Sequence, residues 1–234
     1  MRILRLLLVA AVVSAFSVRQ VTAHHGKDFL IVESYELPHP GDVYFVSSAA
    51  LVRDGSDTTL ELEPSLLVGV CPRVAFELHA HVTREPHDTI SYEATAPSLH
   101  LQLTPPKSDF PVHVGLSVEY EFAVRASARD RAETRLILES ALGRSRLAFN
   151  VVGEHERAGD STLGYAAGYR YEFTEAVACG VEAQGPFTRS SSHELIAAVY
   201  AEPTQRVTVK LGAGTELARS SVAPIVRFGV VFRF

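Results

Sequence analysis

Apolar and polar residues alternate along almost the whole chain from residue 43 to residue 234. In the final segment one set of alternate positions is entirely apolar: Val226, Phe228, Val230, Phe232 and Phe234. The intervening positions include Arg227 and Arg233. A repeat of two residues is typical of a β-strand whose two faces meet different surroundings. No helical repeat is convincing after residue 23, so the chain is predicted to be all-β.

Turn-forming residues divide this pattern into about twelve predicted strands. They cover residues 43–53, 58–71, 73–84, 89–104, 110–123, 133–142, 145–156, 161–174, 177–188, 192–202, 206–218 and 223–234. Many exceed the ~5–6 residues usual in soluble proteins, and most reach the ~9–11 residues that a tilted strand needs to cross a bilayer. The lengths therefore favour strands that cross a membrane. A soluble sandwich of two six-stranded sheets is the alternative fold.

The connections between the predicted strands alternate in length. Residues 54–57 form a longer connection than residues 71–73, and the longer 125–132 is followed by the tight 143–144. Outer-membrane barrels have short periplasmic turns and longer external loops that alternate in this way. The stretch 105–109 is an exception, because it is long for its expected periplasmic side. The pattern predicts an even number of strands and both termini in the periplasm.

Composition agrees with strands rather than helices as the membrane-crossing elements. The chain is 47% hydrophobic, but its longest apolar run covers residues 3–16, which is shorter than the ~20 residues of a spanning helix. A helical membrane protein with several spans is therefore excluded. Residues 42–234 are predicted to form an all-β, closed antiparallel transmembrane β-barrel of about twelve strands, within a range of 10 to 14.

The N-terminus carries features of an exported protein. Arg2 and Arg5 precede an apolar stretch, and residues 21–23 form a small-residue cleavage site, so residues 1–23 are predicted to be a secretory signal peptide. Its removal leaves 19 basic and 27 acidic side chains, so the formal net charge changes from −5 to −8. An acidic exported chain is a poor candidate for binding nucleic acid. Residues 24–41 are predicted to lie along the periplasmic mouth or to fold into the lumen as a plug.

The C-terminal segment, residues 223–234, resembles the last strand of bacterial outer-membrane β-barrels, which ends in Phe with apolar residues at alternate positions before it. The resemblance implies that Phe228, Val230, Phe232 and Phe234 form a signal read by the barrel-assembly machinery. It also implies a place among outer-membrane lipids of a Gram-negative cell. In size and texture the chain is similar to small transporters of about twelve strands, including those grouped with phenol-degradation operons.

If the apolar face of each strand meets lipid, the polar face lines the lumen. The alternation places these side chains on the lumen: Glu77, His79, His81, Glu93, His100, His113, Glu119, Arg135, Arg146, Glu154, Arg170, Glu182, Lys210 and Arg227. A charged, water-filled lumen suits the diffusion of polar solutes. The predicted function is a passive channel or transporter for small polar solutes. The alternative is a structural barrel, closed because its acids and bases pair across a narrow lumen.

Two further alternatives involve ligands. His79, His81, His100 and His113 are predicted on the inner face of three adjacent strands, near Glu77 and Glu93, and imidazole with carboxylate suits Zn, Cu or Ni. No compact ligand motif supports this, so we assign no metal site and no cofactor.

Some outer-membrane barrels act on lipids with a Ser, a His and an acid. The stretch 190–194 holds such residues, including His193, but no lipase-like motif surrounds it. We therefore assign no catalytic residue and predict that the chain is not an enzyme.

The alternation slips once, within the fourth predicted strand. Its apolar positions are even-numbered before Pro97 and odd-numbered after it. A β-bulge inserts one residue into a strand and tolerates proline. The sequence therefore predicts a bulge at Pro97 that returns both faces to their sides.

Overall fold

The structure is a computed structural model that describes residues 27–54, 57–86, 88–106, 110–124, 129–157, 159–188, 192–218 and 222–234. The predicted signal peptide, residues 1–23, lies outside these ranges. Within them the chain forms twelve strands: β1 (Val43–Asp54), β2 (Asp57–Cys71), β3 (Val74–Arg84), β4 (Ser91–Gln102), β5 (His113–Ala123), β6 (Arg131–Leu142), β7 (Ser145–Glu156), β8 (Ser161–Glu172), β9 (Val177–Pro186), β10 (His193–Thr204), β11 (Val207–Leu217) and β12 (Val222–Arg233). In the part of the chain so described, no helix is long and apolar enough to cross a membrane.

The twelve strands form one closed barrel. Each strand pairs antiparallel with its neighbours in the sequence, and β1 pairs with β12, with Phe45 opposite Phe232. Closure leaves no strand with an unpaired edge. The predicted fold class, an all-β closed antiparallel barrel of about twelve strands, is confirmed, and the alternative of two stacked sheets is wrong. The observed strand ends lie within three residues of the predicted ones.

The two faces of the strands meet opposite environments. Along β10, Glu194, Ile196 and Tyr200 are buried inside the barrel, whereas Leu195 and Val199 point outward and are exposed. Every strand has at least one large apolar side chain exposed on the outer face. Several charged side chains, among them Glu77, Arg146 and Lys210, are in contrast buried inside the barrel. This distribution is the reverse of that in a soluble protein and matches a barrel with an apolar outer band and a polar interior.

The prediction of a bulge at Pro97 is wrong. Pro97 lies opposite Leu78 in a continuous register with β3, and the register shifts at Glu93 instead, between the pairs His81–Ala94 and Val82–Tyr92. Proline lacks an N–H donor, so Pro97 interrupts the ladder with β5. The register with β5 is the same on both sides of the interruption. A missing donor therefore removes pairing without shifting the strand, and the shift falls on Glu93 near the loop end.

The two ends of the barrel differ in their connections. At the end that holds Val43 and Phe234, three connections consist of two residues each, at 72–73, 143–144 and 205–206. Gly143 has a φ of 62°, a left-handed conformation that glycine adopts without strain in a tight turn. The connection between β4 and β5 at this end is longer, as the sequence indicates. We call this end the turn end and the opposite one the loop end.

Candidate functional site

The chain before β1 runs inside the barrel. We call residues 27–42 the luminal segment; residues 24–26 of the predicted plug lie outside the described ranges. Its C-terminal end is held at the turn end, where the Gly41 amide donates to the Gly69 carbonyl at 2.8 Å. Its other end reaches β3, where Lys27 Nζ lies 2.8 Å from Glu77 Oε2. Between these points it contacts Glu182 of β9, and β3 and β9 are six strands apart in the twelve-stranded order. The luminal segment therefore crosses the lumen from one wall to the other.

Glu182 is the main acceptor for the backbone of the luminal segment. The amides of Leu30, Ile31 and Val32 donate to its carboxylate at 2.8, 2.7 and 3.1 Å. The Tyr200 hydroxyl donates to the same carboxylate at 2.5 Å. Successive backbone amides that converge on one point form an anion-binding nest. The buried carboxylate of Glu182 thus accepts hydrogen bonds from three backbone amides of the luminal segment, which forms neither a strand nor a helix.

Asp28 forms a second attachment. Its two carboxylate oxygens lie 2.8 Å from Arg146 Nη1 and 2.9 Å from Arg170 Nη1. All three side chains are almost completely buried. Removing one partner of a buried ion pair is strongly destabilising, because an uncompensated charge remains in a poorly solvated place. Asp28 therefore balances charge on both arginines, of which Arg146 also contacts Glu139 and Glu36.

Other wall side chains satisfy the remaining polar groups of the luminal segment. Lys210 Nζ donates to the Phe29 carbonyl at 2.6 Å. Asn150 accepts from the Glu33 amide at 2.7 Å and donates to the Glu33 carbonyl at 3.0 Å. The Tyr35 amide donates to the Glu139 carboxylate at 2.9 Å, and the Tyr35 ring stacks on the His113 ring. Buried backbone groups need such partners, and here the inner face of the barrel provides them.

Apolar packing adds to these polar contacts. Phe29 and Val32 pack against small wall residues: Ala148, Ala166, Ala178 and Ala198. A Cβ atom at Gly168 would lie 2.8 Å from the Phe29 ring, closer than packed carbon atoms approach. The wall is lined by glycine and alanine where the luminal segment is bulky. The segment and the wall are therefore complementary in shape as well as in charge.

Two cavities lie between the luminal segment and the loop end. The inner cavity, of about 190 Å³, is bounded by Lys27 and Glu33 of the luminal segment and by wall residues that include Glu77 and His79. The outer cavity, of about 460 Å³, is lined by residues near the loop end, such as Glu61 and Glu216. Arg135 borders both cavities. Carboxylates outnumber basic groups in the combined lining.

Acids and bases pair along the wall around these cavities. Arg227 contacts Glu194 through Nε and Nη2 at 2.5 and 2.8 Å. Arg131 Nη2 lies 2.7 Å from Glu121 and Arg135 contacts Glu133. Glu154 lies at the edge of this group, 3.8 Å from Arg131. Each pair joins residues on the same wall, and the cavities remain beside them.

Three side chains from β3 and β4 converge beside Lys27. Glu77 Oε2 lies 3.0 Å from His100 Nε2 and 3.4 Å from His79 Nε2. His79 Nε2 also lies 3.4 Å from Glu119, and His81 lies next to Glu63 and Glu121 at 3.7 and 4.0 Å.

Two residues that the sequence predicted beside these histidines, His113 and Glu93, lie elsewhere. His113 stacks on Tyr35, and Glu93 accepts a hydrogen bond from Ser91 at the bulge.

The charges of Lys27 and Glu33 in the luminal segment are stabilised by their neighbours. Burial opposes the positive charge of Lys27, but Glu33 and Glu77 outweigh this effect and raise its pKa above the ordinary value. Burial likewise opposes the charge of Glu33, but Lys27 and His100 hold the pKa of that carboxyl below its ordinary value. Sequence reasoning named wall residues such as Glu77 and His100 but did not name Lys27, Asp28 and Glu33 as their partners. The available signal was the pattern of charges flanking the apolar run 29–32.

No protein-family model matches the chain, and no curated protein matches its sequence. Solved structures do share its fold. An outer membrane channel from Pseudomonas putida F1 is 10% identical, with a TM-score of 0.62 over 86% of this chain and 98% of that chain. The KdgM porin is 10% identical, with a TM-score of 0.60 over 82% of this chain and 99% of that one.

An enzyme has a similar fold as well. Outer membrane phospholipase A from Escherichia coli is 10% identical, with a TM-score of 0.51 over 83% of this chain and 97% of that chain. In the present chain, His193 Nδ1 lies 3.2 Å from the Tyr165 hydroxyl, and Ser190 and Ser191 lie outside the described ranges. Identities this low show a common fold, and function depends on the site.

Proposed function

We propose that the chain is an outer-membrane β-barrel that lets small polar solutes diffuse through its lumen, without a chemical step, and that the luminal segment obstructs this passage. The observation that carries the proposal is the combination of a closed barrel, an apolar outer face and charged cavities inside it. Side chains of this kind hold water and select solutes by charge. The structural likeness to a channel and a porin agrees with this function.

The outer face supports a position in a bilayer. Large apolar side chains are exposed around the whole circumference, and aromatic pairs stand near both ends of the strands. Tyr120 and Phe122 lie in contact near the loop end, and Tyr171 and Phe173 lie in contact at the turn end. Aromatic girdles at the two interfaces are typical of transmembrane barrels.

Eleven of the fourteen residues predicted to line the lumen fall into two groups. Of the other three, His100 borders the inner cavity, His113 stacks on Tyr35, and Glu93 lies at the bulge in β4. One group holds the luminal segment: Glu77, Arg146, Arg170, Glu182 and Lys210. The other surrounds the two cavities: His79, His81, Glu119, Glu154 and Arg227, with Arg135 between the cavities. Solute can reach the second group from the loop end. Passage to the turn end requires that the luminal segment shift, so we propose a channel that the segment gates.

Single-channel recording in planar bilayers tests this function. The wild-type protein is expected to give rare or small conductance steps. Asp28→Asn is expected to give more frequent or larger steps, because Arg146 and Arg170 lose the charge that they share. Glu175→Gln is the control, since Glu175 is exposed in the β8–β9 connection.

The outcomes separate the two parts of the proposal. If neither protein conducts in correctly folded form, the barrel is not a channel. If both conduct with the same steps and open probability, the barrel is a channel but the luminal segment does not gate it. Conductance that rises equally in Asp28→Asn and Glu175→Gln would also contradict the gating role.

We also propose that the last strand is read by the barrel-assembly machinery. Phe228, Phe232 and Phe234 are exposed on the outer face, and the Phe234 amide donates to the Val43 carbonyl at the seam between β12 and β1. Phe234→Ala is expected to lower the yield of heat-modifiable, folded barrel in outer membranes. Phe173→Ala is the matched control, because Phe173 is an exposed phenylalanine at the same end. Equal yields from the two variants would remove this role.

A further inference from the structure

We propose that Glu77, His79 and His100 form a binding site for a divalent late transition-metal ion, and we assign Zn²⁺ to it. Glu77 and His79 are two residues apart on β3, so both point into the barrel. His100 lies on the neighbouring strand β4, opposite Ala75, and is therefore diagonal to Glu77. Imidazole and carboxylate together suit Zn²⁺ and its neighbours in the series.

The distances between the ligand atoms fit a metal ion. Glu77 Oε2 lies 3.0 Å from His100 Nε2 and 3.4 Å from His79 Nε2. A tetrahedral ion with bonds of about 2.0–2.1 Å separates its ligand atoms by about 3.3 Å. All three ligand atoms lie within 4.8 Å of one another. An ion can therefore bind without a rearrangement of the strands.

The burial and hydrogen bonding of these side chains also favour a ligand here. Glu77 and His100 are buried, and among the described residues neither ring nitrogen of His100 has a hydrogen bond of acceptable geometry. The other oxygen of Glu77 is fixed by Ser65, whose hydroxyl donates to Oε1 at 2.6 Å. Such outer contacts orient metal-binding carboxylates. Glu77 thus presents Oε2 towards the two imidazoles.

The site opens onto the inner cavity, which Glu77, His79 and His100 all border. Three protein ligands leave the fourth tetrahedral position for water or for an oxygen of a solute. A neighbouring group, His81 with Glu119 and Glu121, also has ligand atoms close together. That group has a single imidazole among its three candidate ligands. The group with two imidazoles is therefore the site.

Lys27 competes with the ion for the same atom. Its ammonium group lies 2.8 Å from Glu77 Oε2, so a bound ion and the Lys27 ammonium exclude each other. Lys27 is the first described residue of the luminal segment, and metal binding therefore opposes the seating of this part of the segment. Coupling of this kind is reciprocal. The site itself does not depend on whether the barrel conducts, whereas an effect of the ion on gating rests on the proposed channel.

Zinc titration of the full-length folded barrel in detergent, in competition with a chromophoric chelator, tests the site. His100→Asn is expected to weaken Zn²⁺ binding by more than about 100-fold, because loss of even an outer contact typically costs 10–100-fold. Lys27→Met is expected to tighten binding by about tenfold or more, because the competing charge is removed. His155→Asn is the control, since His155 is an exposed histidine on β7.

Each outcome decides one part of the inference. Wild-type affinity no greater than that of His100→Asn, or an equal loss in His155→Asn, would overturn the site. Unchanged affinity in Lys27→Met would overturn the competition with the luminal segment. None of these measurements involves conductance, so failure of the metal site is distinct from failure of the channel.

Discussion

Inside the barrel the guanidinium group of Arg146 is shared by several carboxylates. Its Nη1 lies 2.8 Å from Asp28, 3.2 Å from Glu139 and 3.3 Å from Glu36. Burial raises the pKa of Glu36 to about 8; Arg146 lowers it in part, and the nearby Asp28 and Glu139 raise it further. The seated luminal segment therefore favours the protonated form of Glu36, and release of the segment into water favours the ionised form.

This shift predicts how the seating of the luminal segment depends on pH. A carboxyl whose pKa is raised in the seated state stabilises that state at low pH, and the stabilisation is lost as the pH rises from about 4.5 through about 8. Trypsin cleavage after Lys27 is expected to accelerate at least about tenfold across this window, the effect of about one pKa unit or 1.4 kcal/mol. The reference is the cleavage of a denatured sample at each pH, which corrects for the protease itself.

Glu36→Gln provides the decisive comparison for this pH dependence. Glutamine cannot ionise, so the protection of Lys27 in this variant is expected to vary little between pH 5 and pH 9. Glu33 acts in the opposite sense, because its lowered pKa weakens the seated state only in acid. If the wild-type protein and Glu36→Gln show the same pH profile, Glu36 does not control the seating.

Single residues show which parts of the site were predictable. Alternation assigns Glu77, His79 and His100 to one face because the repeat of a strand is two residues. Contacts across the lumen follow no such repeat. The pairing of Asp28 with Arg146 and Arg170 depends on a segment without regular structure and on the stagger of the barrel, neither of which a local pattern contains.

At the scale of elements, β11 carries two outward-facing leucines at different distances from the end of the barrel. Leu211 lies at its centre and Leu217 at its loop end, and both are exposed on the outer face. If the barrel spans a bilayer, the cost of a charge on this face depends on depth. Arginine costs about 2–4 kcal/mol at the bilayer midplane and about 0–1 kcal/mol near the interface.

The two substitutions form a matched pair. Leu211→Arg is expected to lower the free energy of unfolding in phospholipid vesicles by about 2–4 kcal/mol, and Leu217→Arg by about 1 kcal/mol or less. Reversible denaturant unfolding of the refolded barrel measures both. Equal costs at the two positions would indicate that the outer face of β11 does not cross an apolar layer.

Strand β4 shows the limit of prediction at this scale. The slip in its alternation was visible in the sequence, and its effect on the two faces was predicted correctly. Its position was not, because proline was taken as the cause. The structure keeps Pro97 in register and places the extra residue at Glu93. The alternation of apolar and polar residues shows that one residue is inserted in β4. The position of the bulge depends on how β4 pairs with both neighbouring strands.

For the whole molecule, the distribution of charge follows from closure. A closed barrel has two environments, and the apolar half of each strand faces outward. The polar halves then gather in a small interior, where the luminal segment neutralises the basic part of the wall near the turn end through Asp28. Around the cavities towards the loop end the carboxylates are in excess. The interior towards the loop end is therefore acidic.

An acidic entrance predicts selectivity for cations, because rings of carboxylates favour cations in channels. Under a KCl gradient, the zero-current potential of the conducting barrel is expected to show greater permeability to K⁺ than to Cl⁻. Glu61 and Glu216 both line the outer cavity, so the double change Glu61→Lys with Glu216→Lys is expected to reduce or reverse this preference. Glu175→Lys makes a similar change in charge at an exposed turn and is expected to leave it unaltered. Anion selectivity in the wild-type barrel, or equal effects of the luminal and turn substitutions, would show that the cavities do not form the path of the ions.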